Sequence, residues 1–104
     1  MALRGPVRMA GQVFVSVAGE LDFQTAAVVR AAVDELARTD GQRVVLDLTG
    51  LSFIDSSGLG LFVEESRKLR GGGGDLLLSH PSRQVLGRLH QTGLDRVLTI
   101  IDNN

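Results

Sequence analysis

The chain has 104 residues, enough for one domain with a modest core, and it carries a net charge of −1 and no cysteine. The missing cysteine excludes disulfides and thiol chemistry, and the small charge argues against nucleic acid as an obligatory partner, because phosphate binding needs a basic face. No stretch approaches the roughly 20 apolar residues of a membrane span and no signal peptide is visible, so we expect a cytoplasmic protein without a membrane partner.

The beginning of the chain predicts a broken edge strand followed by a regular strand. Gly5-Pro6 would interrupt a central strand, so residues 1–9 are expected to form at most an edge strand with a break. Residues 12–18 alternate in hydrophobicity, which predicts a strand. The Gly-Glu-Leu-Asp segment at residues 19–22 is then expected to connect this strand to the first helix.

The first helix is predicted to run from Asp22 to about Arg38. Asp22 suits the N-cap position, with Thr25 as the alternative if the helix begins later. Apolar residues recur at helical spacing and predict its buried stripe: Ala26, Val29, Val33 and Leu36. Charged residues at every fourth position predict a solvated face with weak pairing along the helix: Arg30, Asp34 and Arg38.

The middle of the chain predicts a central strand, a loop and a second helix. Residues 43–48 form an apolar run apart from Asp47, which is typical of a strand covered on both faces. Residues 51–60 are expected to form a loop that turns into a second helix ending near Arg70. The exposed side of this helix is predicted to carry its charged residues: Glu64, Glu65, Arg67, Lys68 and Arg70.

The start of the second helix concentrates residues that suit a binding site. Asp55, Ser56 and Ser57 carry oxygens that can accept hydrogen bonds from first-turn N–H groups, and the positive helix end favours an anion. Gly58 and Gly60 each cost a helix about 1 kcal/mol relative to alanine. Two such costs within three residues suggest that something approaches the backbone closely at this point.

Three interpretations of this segment stay open on local physics alone. It could be an ordinary helix cap whose glycines fit against the protein's own sheet. It could present a serine nucleophile, although neither Ser56 nor Ser57 has the usual Gly-x-Ser-x-Gly context and no base is identifiable. It could also present a serine that accepts a phosphoryl group at an exposed helix start.

The last third of the chain predicts two strands around a short third helix. The four glycines at residues 71–74 follow a helix and precede a strand, so they indicate a helix stop rather than a phosphate-binding loop. Residues 75–79 predict a buried strand, and Ser82 is expected to cap the third helix. Gly93 is expected to end that helix, and residues 97–101 predict the last strand.

Strands that alternate with helices predict an α/β fold whose sheet is at least partly parallel. Loops that precede helices collect at one edge of such a sheet. This arrangement is expected to bring Asp22 toward Ser56.

Two segments of the chain resemble the STAS domain and, more narrowly, the bacterial anti-sigma factor antagonists. They are Leu46-Asp47-Leu48-Thr49 followed by residues 51–60, and Gly19-Glu20-Leu21-Asp22 upstream. The resemblance covers nearly the whole chain. It implies one domain over residues 1–104, with a mixed four- to five-stranded sheet and helices packed against it. Members of this family usually continue past the last strand into a further helix, which is not found in these 104 residues.

The resemblance also implies a function based on partner switching. The first serine of Asp-Ser-Ser-Gly is the family's phosphoacceptor, here Ser56. The unphosphorylated antagonist binds an anti-sigma factor that is also a serine kinase, which frees the sigma factor; phosphorylation ends this binding, and a serine phosphatase resets the antagonist. Further partner-binding residues are expected around this serine: Glu20, Asp22, Asp55, Ser57, Gly58 and Leu59.

Two other functional classes stay open. STAS domains also occur in transporters and multi-protein regulatory complexes, so the alternative is a non-switching interaction subunit. A small hydrolase or nucleotide-binding enzyme has no identifiable base, metal cluster or phosphate loop, and His80 and His90 lack the paired spacing of a metal site. We therefore expect a protein that is not an enzyme, without catalytic residues, cofactor or metal, and without direct contact to nucleic acid.

Overall fold

Strands and helices alternate along the chain in a computed structural model that describes residues 1–101. The strands are β1 (Ala2–Met9), β2 (Gln12–Leu21), β3 (Arg43–Asp47), β4 (Leu51–Ile54), β5 (Asp75–Ser79) and β6 (Thr99–Ile101). The helices are α1 (Phe23–Ala37), α2 (Ser56–Gly71) and α3 (Arg83–Gln91), and α3 is followed by a 3-10 turn at Leu94–Arg96. This alternation confirms the predicted α/β class.

Within residues 1–101 the six strands form one mixed sheet, in which β3 is central as predicted. Five strands follow the order β1-β2-β3-β5-β6, and β4 pairs with β2 outside this path. β1 is antiparallel to β2, and the other pairs are parallel. The predicted edge strand with a break is confirmed, because the register of β1 shifts between Arg4 and Val7.

The sheet has one strand more than the upper end of the predicted four to five, because the sequence pattern concealed β4. Residues 51–54 were assigned to a loop, but they pair with residues 19–21, which extend β2 beyond its predicted end. A strand of four residues is too short for its alternation to be recognised. Its partner lies about 30 residues earlier in the chain, so the pairing that stabilises it is not visible locally.

Helices α1 and α2 pack side by side, and this contact corrects two sequence predictions. Arg30 Nε lies 2.8 Å from Glu64 Oε2, and Lys68 Nζ lies 3.1 Å from Asp34 Oδ1, so two members of the charged row of α1 pair with α2. The third, Arg38, pairs with Glu35 along its own helix at 3.2 Å. Glu65, predicted on the exposed side of α2, is only 1% exposed. Helical spacing defines a face but does not tell which neighbouring helix will cover it.

The remaining predictions for the helices hold with small shifts at their ends. Ala26, Val29 and Val33 are buried as predicted, whereas Leu36, the last residue of the predicted stripe, is only partly buried against the core. The side chain of Ser82 caps α3 by accepting a hydrogen bond from the backbone N–H of Val85 at 3.2 Å. Within residues 1–101, no helix is both long and apolar enough to cross a membrane.

Candidate functional site

Two helix starts lie next to each other at one edge of the sheet. α1 follows β2 and α2 follows β4, and these two strands are parallel neighbours. Leu21 pairs with Ile54 at the ends of the strands, and the backbone N–H of Asp55 donates to the carbonyl oxygen of Leu21 at 3.1 Å. The N-caps of the two helices, Asp22 and Asp55, therefore follow paired strand residues, as the predicted topology requires.

Asp22 caps α1 in a reciprocal arrangement with Thr25. One carboxylate oxygen of Asp22 accepts hydrogen bonds from the backbone N–H groups of Gln24 and Thr25, each at 3.0 Å. The hydroxyl of Thr25 in turn accepts from the backbone N–H of Asp22 at 2.8 Å. Hydrogen bonds from the backbone and the side chain of Thr25 lower the pKa of Asp22, so this carboxylate is charged at neutral pH.

Asp55 caps α2, and this leaves Ser56 free for another role. The Asp55 carboxylate accepts hydrogen bonds from the backbone N–H groups of Ser57 at 2.8 Å and Gly58 at 3.1 Å. Ser56 is the first helical residue and is exposed. Within residues 1–101 its hydroxyl makes no side-chain hydrogen bond, whereas the Ser57 side chain is partly buried.

The two glycines after Ser57 have different environments. A Cβ atom on Gly58 would lie 2.7 Å from Ile54 Cγ1 and 2.9 Å from Leu21 Cγ, which is too close for any side chain. Gly58 is therefore required by the protein's own packing, as the ordinary-cap interpretation expects. Apart from its chain neighbours and the backbone of α2 itself, a Cβ atom on Gly60 would meet no heavy atom of residues 1–101 within 4 Å. The packing of residues 1–101 does not explain Gly60.

The sequence model of the STAS domain matches residues 6–104, which includes both helix starts and nearly all of the chain. The chain belongs to the STAS domain family.

Relatives of this STAS domain are named as regulators of sigma factors. It is 34% identical to an anti-sigma F factor antagonist of Paenibacillus polymyxa over 94 residues. The aligned region covers 89% of this chain and 80% of the relative. It also resembles the anti-sigma factor antagonist SpoIIAA in its unphosphorylated form, with a TM-score of 0.80, 26% identity and coverage of 99% and 89%. The phosphorylated form of the Bacillus cell fate determinant SpoIIAA gives a TM-score of 0.74, 25% identity and coverage of 99% and 92%.

The predicted partner-binding residues of this STAS domain fall into two groups. Glu20 is exposed like Ser56, and Asp22, Asp55 and Ser57 are partly buried around it. Gly58 and Leu59 are buried, and Leu59 is only 5% exposed within the hydrophobic core. The prediction that Leu59 and Gly58 offer a surface to a partner is therefore corrected: Leu59 packs into the core, and Gly58 lies against Ile54 and Leu21.

The sequence analysis missed two exposed aromatic residues close in the chain to the two N-caps, Asp22 and Asp55. Phe23, the first residue of α1, is 78% exposed, and Phe53, two residues before Asp55, is 48% exposed. Phe23 lies outside the predicted buried stripe of α1. A large apolar residue that the helical pattern leaves out of the core could have been recognised from the sequence as a candidate contact for a partner. No group of three potential metal ligands occurs among residues 1–101.

Proposed function

We propose that the chain acts as one STAS domain over residues 1–104, as an anti-sigma factor antagonist whose binding is switched off by phosphorylation of Ser56. The observation that carries this proposal is the exposed Ser56 hydroxyl at the start of α2, with no side-chain hydrogen bond in the described chain. The relatives named as antagonists support it, as does the occurrence of SpoIIAA in unphosphorylated and phosphorylated forms.

Phosphorylation changes the charge of Ser56 where little in the domain can neutralise it. A phosphoserine carries about −1.5 to −2 charges at neutral pH. The carboxylate of Asp55 already occupies the N–H groups of Ser57 and Gly58, and the charged Asp22 caps the neighbouring helix. The start of α2 therefore offers a phosphate fewer free backbone N–H donors than the sequence suggested. Because Ser56 is exposed, the new negative charge faces the solvent or a partner.

The outward charge explains how a small modification could end binding. An interface fitted to the neutral hydroxyl of Ser56 would have to accommodate three further oxygens and an unpaired charge. A 100-fold loss of affinity corresponds to about 2.7 kcal/mol. Leaving a charge buried and unpaired costs about 3–5 kcal/mol. Phosphorylation of Ser56 is therefore enough to cause a 100-fold loss of affinity without any change of fold.

In this proposal the domain is a substrate and binding module, and another protein supplies the chemistry. The anti-sigma factor acts as a serine kinase: Ser56 Oγ bonds to the γ-phosphorus of ATP, ADP leaves, and the hydroxyl proton passes to the kinase. A serine phosphatase hydrolyses the phosphoserine and restores the binding form. We place this cycle in the cytoplasm, where sigma factors act.

The assignment of Ser56 is tested by phosphorylation with the anti-sigma factor kinase of the same organism and ATP. The parent and Ser57→Ala are expected to accept one phosphate, which peptide mass spectrometry places on Ser56, whereas Ser56→Ala accepts none. Ser57→Ala is the matched control because it removes the neighbouring hydroxyl of the same helix turn. Full phosphorylation of Ser56→Ala, or phosphate at another residue of the parent, contradicts the proposal.

A further inference from the structure

A groove begins at Ser56 and runs between the first halves of α1 and α2. Its volume is about 610 Å³. The far end is bridged by the ion pair between Arg30 and Glu64 at 2.8 Å. The α1 wall is formed by Phe23, Gln24, Ala26, Ala27 and Arg30, and the α2 wall by Ser56, Ser57, Gly60, Leu61 and Glu64. Small residues on both walls keep the groove open next to the proposed phosphoacceptor.

Gly60 is the residue of this groove that the fold explains least. It lies one turn after Ser56 on the same face of α2. Glycine is among the poorest helix formers, and alanine is the best. A side chain would fit here, because apart from its chain neighbours and the α2 backbone no heavy atom of residues 1–101 lies within 4 Å of the Cβ position. Packing within residues 1–101 therefore does not require a glycine at this position.

Phe23 gives an independent indication that the groove has an occupant. It is 78% exposed although it is a large apolar side chain. Aromatic side chains are enriched in protein–protein interfaces and among the residues that dominate binding energy. Phe23 stands on the α1 wall, opposite the α2 wall that contains Ser56 and Gly60. A partner that reaches the hydroxyl of Ser56 would therefore meet this ring.

We propose that this groove, which we call the α1–α2 groove, receives an apolar side chain of the anti-sigma factor when that protein binds at Ser56. Gly60 leaves room for the side chain, and Phe23 packs against it. The N-cap carboxylates of Asp22 and Asp55 directly precede the groove-lining Phe23 and Ser56, so a basic residue of the partner beside the apolar one completes the match. This inference rests on the proposed function, because the groove is continuous with Ser56.

The test fills the α1–α2 groove with one variant and removes the Phe23 ring with another. The measured quantity is the dissociation constant between the unphosphorylated domain and the anti-sigma factor of the same organism. Gly60→Leu is expected to weaken binding by about 30-fold and Phe23→Ala by about tenfold, as for residues at the centre of an interface. Gly87→Leu is the matched control. Gly87 is also a helical glycine, on α3, and only its chain neighbours and its own helix backbone come within 4 Å of its Cβ position among residues 1–101. Val28→Ala is the control for Phe23, because Val28 is 51% exposed on α1 outside the groove.

The outcomes separate this inference from the proposed function. Weak binding by Gly60→Leu and Phe23→Ala, with both controls within about threefold of the parent, supports the groove. If Ser56→Asp binds weakly while Gly60→Leu and Phe23→Ala bind like the parent, the proposal for the groove is overturned and the proposed switch at Ser56 stands. If Gly87→Leu and Val28→Ala lose as much affinity as the groove variants, the groove is likewise overturned. If the parent does not bind the anti-sigma factor, both proposals fall.

Discussion

The buried carboxyl group of Glu65 makes the stability of the domain depend on pH, and the substitution Glu65→Gln tests this. Glu65 lies in α2 and is 1% exposed. Lys68 Nζ is 3.1 Å from its Oε2, yet neither carboxyl oxygen has a hydrogen-bond partner in the described chain. Burial, with the neighbouring Asp34 carboxylate, raises the pKa of Glu65 from 4.5 to about 7. The other charged groups at this contact are Arg30 and Glu64.

The direction of the effect follows from the two pKa values. The folded state keeps a proton on Glu65 between pH 4.5 and about 7 that the unfolded chain has lost. The stability linked to this group is therefore fully present below pH 4.5 and is lost as the pH rises through about 7. At about 1.4 kcal/mol per pKa unit, the loss is on the order of 3 kcal/mol.

Glu65→Gln keeps the shape of the side chain and cannot ionise. We expect its free energy of unfolding to lie near that of the parent at pH 5 and to exceed it by up to about 3 kcal/mol at pH 8. The assay is urea denaturation of both proteins across this range. Glu64→Gln is the control, because the hydrogen bond from Arg30 lowers the pKa of Glu64 from its ordinary 4.5. The stability linked to Glu64 is lost only as the pH falls below that value, so the difference between this variant and the parent should stay nearly constant between pH 5 and pH 8. A Glu65→Gln variant that tracks the parent at every pH refutes the reasoning.

The remaining predictions concern the start of α2. Gly60→Ala should stabilise the domain by about 1 kcal/mol, because it improves helix propensity in open space, whereas Gly58→Ala should destabilise it by about 1–3 kcal/mol through overpacking against Ile54. Thermal melts of the two variants check this, and equal melting temperatures contradict it. Asp55→Ala removes the N-cap and should lower the free energy of unfolding by about 1 kcal/mol, whereas Asp55→Asn keeps an accepting oxygen and should retain most of the stability. Chemical denaturation measures both, and equal losses for the two variants would argue against a capping role.

The sequence predicted best what is decided within a few residues. Asp22 and Ser82 were placed at N-caps because their side-chain oxygens accept bonds from backbone N–H groups two or three positions later, and the structure contains these bonds. The alternative N-cap Thr25 lies inside α1 as the partner of Asp22. The central strand at residues 43–48 was recognised from its continuous apolar run. These features need no knowledge of the rest of the fold.

The sequence did not predict what depends on distant parts of the chain. β4 forms only because residues 51–54 meet the extended end of β2. Glu65 is buried because α1 covers the face of α2 that carries it, and Leu59 turns into the core rather than toward a partner. The motif located the candidate site around Ser56, but the walls of the α1–α2 groove come from two helices whose contact no local pattern encodes.

The central claim is that the charge on Ser56 decides whether the domain binds its partner. The most direct measurement is the dissociation constant for the anti-sigma factor, determined for the unphosphorylated domain, the domain phosphorylated stoichiometrically on Ser56, and Ser56→Asp. We expect phosphorylation to weaken binding by about 100-fold and Ser56→Asp to weaken it in the same direction, with melting temperatures close to that of the parent. Equal affinity of the phosphorylated and unphosphorylated domains would contradict the account.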